Sequence, residues 1–298
     1  MILVRLWSSL KNSLKLLTDK CDYIQFYNRK IHLCYKQMID MLDKIVAKTE
    51  ERLIEAKKNK SLDELKEEVS KLDINEEFPF KEALKDPEIA IIAEVKRASP
   101  SKGLIAEDFD FIEIAKEYEQ AGASAISVLT EPYFFQGSND FLKEISENVS
   151  IPILRKDFTI DEYMIWEAKS IGASAILLIV SILVDDQLKR YLDLAHELGL
   201  SAIVETHDAN EIKSAIDAGA GIIGVNNRNL ADFTVDINNS INLRSLVSDD
   251  IVFISESGIK TKEDVRRLKE NNVDAVLIGE TLMRSDDKKS MILELKNG

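Results

Sequence analysis

Cysteine is nearly missing from this chain: Cys21 and Cys34 are the only two, both within the first 37 residues. The remainder can build neither a disulfide framework nor a Cys/His metal constellation. Histidine is as scarce, and His32, His196 and His207 are too scattered for a zinc site. Nothing approaches the roughly 18 consecutive apolar residues of a membrane span, so no transmembrane helix is expected. Positive charge is short as well, with 39 Lys and Arg against 53 Asp and Glu and a formal net charge of −14. That balance argues against nucleic acid or an anionic membrane as a partner. An anionic ligand would have to be held by a local basic cluster working against the overall field. What is present is apolar material: 298 residues, 45% of them hydrophobic, enough for one large domain or two small ones.

The exception to the acidic balance is the start. Residues 1–37 carry seven Lys and Arg against two Asp and Glu, and they lack the continuous apolar stretch of a secretory signal. Arg5, Ser8, Ser9, Lys11, Ser13 and Lys15 would suit an organellar transit peptide. The expectation adopted is a plainer one, a disordered extension or an upstream start codon, with Met38 or Met41 as the working start. Beyond it, Leu42, Ile45, Val46 and Leu53 recur at helical spacing between Met38 and about Lys60. A second helix should begin at Ser61, where Ser61 and Glu64 have the S-x-x-E form of a capping box.

The main body is rhythmic. Short apolar runs occur at Ile89–Ala93, Ala125–Leu129, Ile151–Leu154, Ala175–Val180, Ala202–Val204, Gly221–Val225, Ile251–Ile254 and Ala275–Ile278. Amphipathic stretches such as Phe111–Gln120, Asp161–Ser170, Asp186–Leu198 and Lys262–Glu270 lie between them. The phrase Ala121-Gly-Ala-Ser-Ala-Ile126 returns as Ile171-Gly-Ala-Ser-Ala-Ile176 and as Ala218-Gly-Ala-Gly-Ile-Ile223. Each glycine stands where a helix should stop before the next strand. Strands alternating with helices read as a parallel sheet. Continuous rather than alternating hydrophobicity means that both faces of the sheet are covered. Eight units, with no GxGxxG after the first strand, fit a closed barrel better than an open dinucleotide-binding sheet. The predicted fold is α/β, a (β/α)8 TIM barrel with an N-terminal helical extension, spanning 38–298 as one catalytic domain (38–88 extension, 89–298 barrel).

Active sites of such barrels sit at the carboxyl ends of the strands. The first strand runs into Glu94 and Lys96, which point to the same side because side chains alternate. They suit either paired acid–base roles or a structural ion pair at the rim. The third strand ends at Arg155-Lys156-Asp157-Phe158, the fifth at Glu205, and the sixth at Asn226-Asn227-Arg228. Glu94, Lys96, Lys156, Glu205 and Asn226 converging on one mouth indicate an enzyme without naming its reaction. Gly258 and Gly279 follow strands seven and eight, where exposed backbone N–H groups can hold a phosphate. They could also simply serve their turns. The implied ligand is a phosphorylated small molecule.

Glu94-Val-Lys96-Arg-Ala-Ser99-Pro-Ser101 resembles the first-strand motif of the indole-3-glycerol phosphate synthase family. Ile151-Pro-Ile-Leu-Arg-Lys156-Asp157-Phe158, Val204-Glu205, Gly224-Val-Asn226-Asn-Arg228-Asn-Leu230, Ser255-Glu256-Ser257-Gly258 and Leu277-Ile-Gly279 are similar to later motifs of that family, in order. The resemblance runs from about Met38 to the C-terminus. It implies a carboxy-lyase of tryptophan biosynthesis in the cytoplasm, using neither metal nor organic cofactor. The substrate implied is 1-(2-carboxyphenylamino)-1-deoxy-D-ribulose 5-phosphate, which is cyclised, decarboxylated and dehydrated. No nucleic acid or membrane partner is implied, and other enzymes of the same pathway are the partners to consider.

By the same resemblance, Lys156 is the general acid on the ketone oxygen and Lys96 faces the anthranilate carboxylate and assists a later proton transfer. Glu205 stabilises the charge developing on the ring nitrogen, and Glu94 orients the lysines. Asn226 and Ser257 hold hydroxyls or the carboxylate, with Glu256 in the same network. Ser99, Arg228 and the backbones of Gly258, Gly279 and Glu280 hold the phosphate. The acidic side chain of Glu280 is tolerable there only if it faces away. Phe135, in the Tyr133-Phe-Phe135 run, covers the aromatic ring. His207 is expected to be a surface or loop residue. Two rivals are phosphoribosylanthranilate isomerase, whose expected Cys/Asp pair this cysteine-free barrel cannot supply, and an inactive barrel serving as a partner subunit. Intact Glu94, Lys96, Lys156 and Glu205 speak against the second. A short tail from Asp286 suggests a free-standing rather than a fused enzyme.

Overall fold

Each of the eight apolar runs is a strand. A computed structural model of the chain describes residues 41–297 except 73, 75, 76, 86, 87 and 230–233; the expectations for residues 1–37 lie outside them. The strands are β1 (Ala90–Val95), β2 (Ala125–Leu129), β3 (Ile153–Lys156), β4 (Ala175–Ile179), β5 (Ser201–Thr206), β6 (Ile222–Asn226), β7 (Val252–Glu256) and β8 (Ala275–Ile278). All pair in parallel, each with the next, and β8 pairs back onto β1 from Ala90↔Ala275 to Ala93↔Ile278, closing the barrel. One compact unit, Ile45–Asn229 with Phe233–Gly298, contains it; of the other, Met1–Lys44 with Leu230–Asp232, the described residues are 41–44.

Helices follow the strands as the periodicity predicts. α4 (Phe111–Gln120), α6 (Glu162–Ser170), α7 (Asp185–Glu197) and α10 (Lys262–Glu270) match the amphipathic stretches. α5 (Asn139–Ser146), α8 (Ala209–Ala218) and α9 (Asn238–Arg244) fill the remaining crossovers between strands. Gly122, Gly172 and Gly219 all have φ between +83° and +90°, the left-handed conformation that ends a helix at least cost when no Cβ is present. At Gly172 a Cβ would also press on the Ser146 side chain.

The barrel is filled by inward side chains including Ile92, Leu154, Leu177, Ile203, Ile254 and Leu277. Phe80 and Leu84, from α3 (Pro79–Ala83) and its C-cap, join that cluster beside Ala90, Ala125 and Ala275 and so plug the end where the strands begin. A second core lies between strands and helices and includes Ile91, Ile126, Val204, Leu192, Val265 and Ile292. Fully burying each such side chain contributes about 1.5–3 kcal/mol.

The extension is α1 (41–59) and α2 (Leu62–Val69). The capping box forms, with Ser61 N–H donating to Glu64 Oε2 at 2.7 Å and Glu64 N–H to Ser61 Oγ at 3.3 Å. Leu53 and Leu65 pack with Tyr163 and Met164 of α6. The chain after Asp286 is not a tail. α11 (Glu280–Met283) is followed by α12 (Lys288–Lys296), whose Ile292 and Leu295 are fully buried and which packs on α4 and α10. Its two inward apolar residues are too few for a periodic signal, which is why it reads as a tail in the sequence. Among the described residues, no helix is long and apolar enough to cross a membrane.

Candidate active site

Strands extend past their apolar runs because the ladder is made by backbone, and the added residues are polar. Lys156 on β3 donates to Glu205 Oε2 on β5 at 2.7 Å and to Glu256 Oε2 on β7 at 3.0 Å. These three strands are not neighbours in the wall, so their side chains meet across the interior. Asn226 on β6 donates to Glu205 Oε1 at 3.2 Å. Lys96, just past β1, donates to Glu94 Oε1. Glu94, Glu205 and Glu256 are all buried, and the side chains of Lys96 and Lys156 are 16% and 14% exposed. Five of the expected residues thus form two ion-paired groups under one mouth.

Two glycines make the room. A Cβ on Gly279 would overlap the Glu94 carboxylate and lie 2.8 Å from Lys96 Nζ, and one on Gly224 would overlap Glu256 Oε1. Burial by itself raises the Glu205 carboxyl, but Lys156 and His207 outweigh it and hold it down at about 2. At Glu256 burial wins; with the Glu205 charge adding to it, the carboxyl is pushed up to about 7 despite Lys156. Lys156 pays the same burial cost, but its two carboxylates more than offset it and hold the ammonium above the usual lysine range. Glu256 Oε1 is buried without a hydrogen-bond partner. The site is a cation shared by one firmly ionised carboxylate and one near neutrality.

The expected phosphate residues lie on four loops that touch one another. Ser99 is in a two-residue ladder, Ala98–Ser99 with Gly103–Leu104, beyond β1. Lys102 in the same loop lies 3.7 Å from Glu280 Oε1, and Arg284 Nε donates to that oxygen at 3.0 Å. The Glu280 carboxylate is therefore engaged by side chains and held below the ordinary range: burial opposes this, but Arg284 and Lys102 prevail. Thr281 Oγ1 donates to the Ile259 carbonyl at 2.7 Å, joining α11 to the loop after β7. Arg228 bridges to Val235, against which a Gly258 Cβ would clash. Ser257 and Gly258 have φ of +69° and +89°, two left-handed residues in succession. A bulky side chain at 258 would therefore strain the turn and displace Val235 as well as crowd a ligand. Phe135 and Phe158 stand with ring centroids 6.1 Å apart, and Phe158 packs on the barrel interior, so an aromatic surface borders the charged mouth.

The family model of indole-3-glycerol phosphate synthase matches residues 42–295. The chain is 56% identical to the indole-3-glycerol phosphate synthase of Ruminiclostridium cellulolyticum over 256 residues, covering 86% of this chain and 98% of that one. It is 55% identical to the same enzyme of Lacticaseibacillus paracasei, again over 86% and 98%. The chain belongs to the indole-3-glycerol phosphate synthase family. The barrel is also similar to 3-hexulose-6-phosphate synthase from Salmonella typhimurium, with a TM-score of 0.59 at 13% identity over 70% of this chain and 97% of that one. That likeness concerns the fold alone.

In this synthase-family barrel, three features escaped the sequence reading. Glu131 is buried and accepts the N–H groups of Tyr133, Phe134 and Phe135 at 3.0, 2.7 and 3.1 Å, so it shapes the loop that carries Phe135. Asp157, next to Lys156, receives a two-pronged bond from Arg52 of α1 at 2.8 and 3.0 Å and one from Thr130 Oγ1 at 2.5 Å. His207 lies in the loop after β5, one of the two places expected for it, but it is not on the surface. It is mostly buried, with Nδ1 at 2.9 Å from Glu211 and Nε2 at 3.5 Å from Glu205. The signal that could have found it is its place two residues after Glu205, on the same side of the chain. Among the described residues, no three His, Cys, Asp or Glu gather so as to hold a metal ion.

Proposed function

We propose that Lys156, Glu205, Lys96 and Glu94 carry the reaction of this family member, a carboxy-lyase of tryptophan biosynthesis. The substrate is 1-(2-carboxyphenylamino)-1-deoxy-D-ribulose 5-phosphate, and the products are indole-3-glycerol phosphate, carbon dioxide and water. The observation that carries this reading is the Lys156 ammonium, buried between Glu205 and Glu256 at the centre of the mouth. As the carboxylate-bearing ring carbon attacks the ketone, Nζ gives its proton to the ketone oxygen. For that proton to leave, the ketone oxygen must replace one carboxylate around Nζ. Glu256, already near neutrality, is the one that gives way. Glu205 stays ionised opposite the ring, whose nitrogen becomes cationic until carbon dioxide departs. Lys96, held by Glu94, faces the departing carboxylate and then assists loss of the hydroxyl as water.

Asn226 and Ser257 hold polar groups of the chain joining ring and phosphate, and Phe135 covers the ring. Ser99, Arg228 and the backbone N–H groups of Gly258, Gly279 and Glu280 receive the phosphate, a use that agrees with a Glu280 carboxylate already engaged by Arg284. The intact charged set favours an active enzyme over an inert partner subunit. A cytoplasmic location, with other enzymes of the pathway as neighbours, belongs to the same proposal.

The test is turnover of the purified chain on the carboxyphenylamino substrate, followed by indole fluorescence. Lys156→Ala should lower kcat by about 10²–10⁴-fold, the usual worth of a general acid, with KM little changed. Lys156→Arg should not restore it, because guanidinium does not release its proton. A folded Lys156→Ala variant with near-normal kcat means that another group is the acid.

A further inference from the structure

Carboxylates from two elements face the two ring nitrogens of His207. Nδ1 lies 2.9 Å from Glu211 Oε2, in the first turn of α8, and Nε2 lies 3.5 Å from Glu205 Oε1, on β5. The backbone is fixed as well: His207 N–H donates to the same Glu211 oxygen at 2.8 Å, and Asn239 Nδ2 donates to the His207 carbonyl at 3.2 Å. Neutral imidazole has one N–H and one lone pair. It can satisfy one of these carboxylates and must turn its lone pair on the other, whereas imidazolium suits both. Nε2 is buried and makes no hydrogen bond among the described residues, so its interaction with Glu205 is one of charge. Burial opposes a charge on the ring, but Glu211 and then Glu205 outweigh it and hold the imidazole above its ordinary range.

We propose that His207 is a positioning residue of the reaction, a cationic bridge from Glu211 to Glu205 that keeps the Glu205 carboxylate charged and aimed while Lys156 delivers its proton. This rests on the roles given above to Lys156 and Glu205. In the free site Glu205 lies between two cations, Lys156 at Oε2 and His207 near Oε1. Proton transfer to the ketone neutralises Lys156 just when Glu205 must stand ionised opposite a cationic ring. The other groups facing the pair cannot replace that charge. Glu256 on β7 and Glu94 on β1 are carboxyl groups and supply no positive charge, and Asn226 on β6 is neutral. Among the described residues His207 is then the cation left beside Glu205, anchored from a helix that the substrate does not need to displace.

The experiment is kcat and KM against pH for the unaltered chain, His207→Asn, Glu211→Gln, Glu205→Gln and the His207→Asn/Glu205→Gln double variant, with circular dichroism as the folding control. His207→Asn should lower kcat about tenfold and leave KM within about twofold, because the ring touches Glu205 rather than the substrate. Its acidic limb of kcat should move up by about one pH unit, the effect of removing a cation beside a carboxylate. Glu211→Gln should move the limb in the same direction by less. With Glu205 already replaced, His207→Asn should cost nothing more. Unchanged kcat and limb in both single variants overturns the proposal, as does a full second loss on top of Glu205→Gln. Near-normal kcat for Glu205→Gln overturns the reading of Glu205 itself, which is a different result from a crippled Glu205→Gln beside an unaffected His207→Asn.

Discussion

Glu205 and Glu256 touch the same ammonium, yet burial and neighbours drive their proton affinities apart, to about 2 and about 7. The two therefore contribute to stability in opposite senses. Glu205 binds its proton less readily folded than unfolded, so its contribution is complete above the ordinary carboxylate range and lost as pH falls towards 2. Glu256 binds its proton more readily folded, so stability declines as pH rises from about 4.5 through about 7 and then levels off. Glu256→Gln removes that decline, and its melting temperature relative to the unaltered chain should rise more at pH 8 than at pH 5. An equal difference at both pH values would falsify the assignment. Gly279 offers a second test. Ala there pushes a methyl group against the Glu94 carboxylate and Lys96, and misplacing them should lower kcat by up to about 10²-fold. Stability should fall by about 1–3 kcal/mol through overpacking; unchanged kinetics would show that the pair has slack. Lys156, Glu205 and Glu94 were legible from their place at strand ends. The partner of each was not, because Lys156 and Glu256 are a hundred residues apart in the chain and nothing local marks which strands face one another.

At the scale of elements, α1 reaches the site through one ion pair. Asp157 is fully buried, and Arg52 and then Arg155 keep it ionised against the cost of burial. Arg52→Leu leaves that carboxylate short of its main partner, and breaking a buried pair of this kind costs about 3 kcal/mol. Arg155, 3.6 Å away, remains as a weaker partner. The loss should show in denaturant unfolding near neutral pH and shrink as acid protonates Asp157; an undiminished difference at low pH would point to lost packing instead. The two elements this pair joins were each readable, α1 from its helical spacing and β3 from its apolar run. Their junction was not, since Arg52 and Asp157 both look like solvated charges until the fold brings them together. The capping box at Ser61 was readable because its partner is three residues away.

For the whole molecule, the barrel was the most visible feature in the sequence. Eight continuous apolar runs and three occurrences of one helix-to-strand phrase repeat the same physical requirement, a strand covered on both faces. Residues 1–37 share none of that pattern, and a chain beginning at Met38 should fold and turn over substrate like the full one. A large drop in activity or melting temperature on removing them would show that the prefix has a function. The β1–β8 seam carries a consequence for synthesis. Ala90 pairs with Ala275, and α12, which packs against α4, comes later still. At about 5–20 residues per second, β1 waits roughly 10 to 40 s on the ribosome for the strand that completes its sheet. Until then its edge is open, and Glu94 and Lys96 face no Gly279. Catalytic competence waits for β8, so a product stopped before that strand is inert and exposes a sticky strand edge to its neighbours.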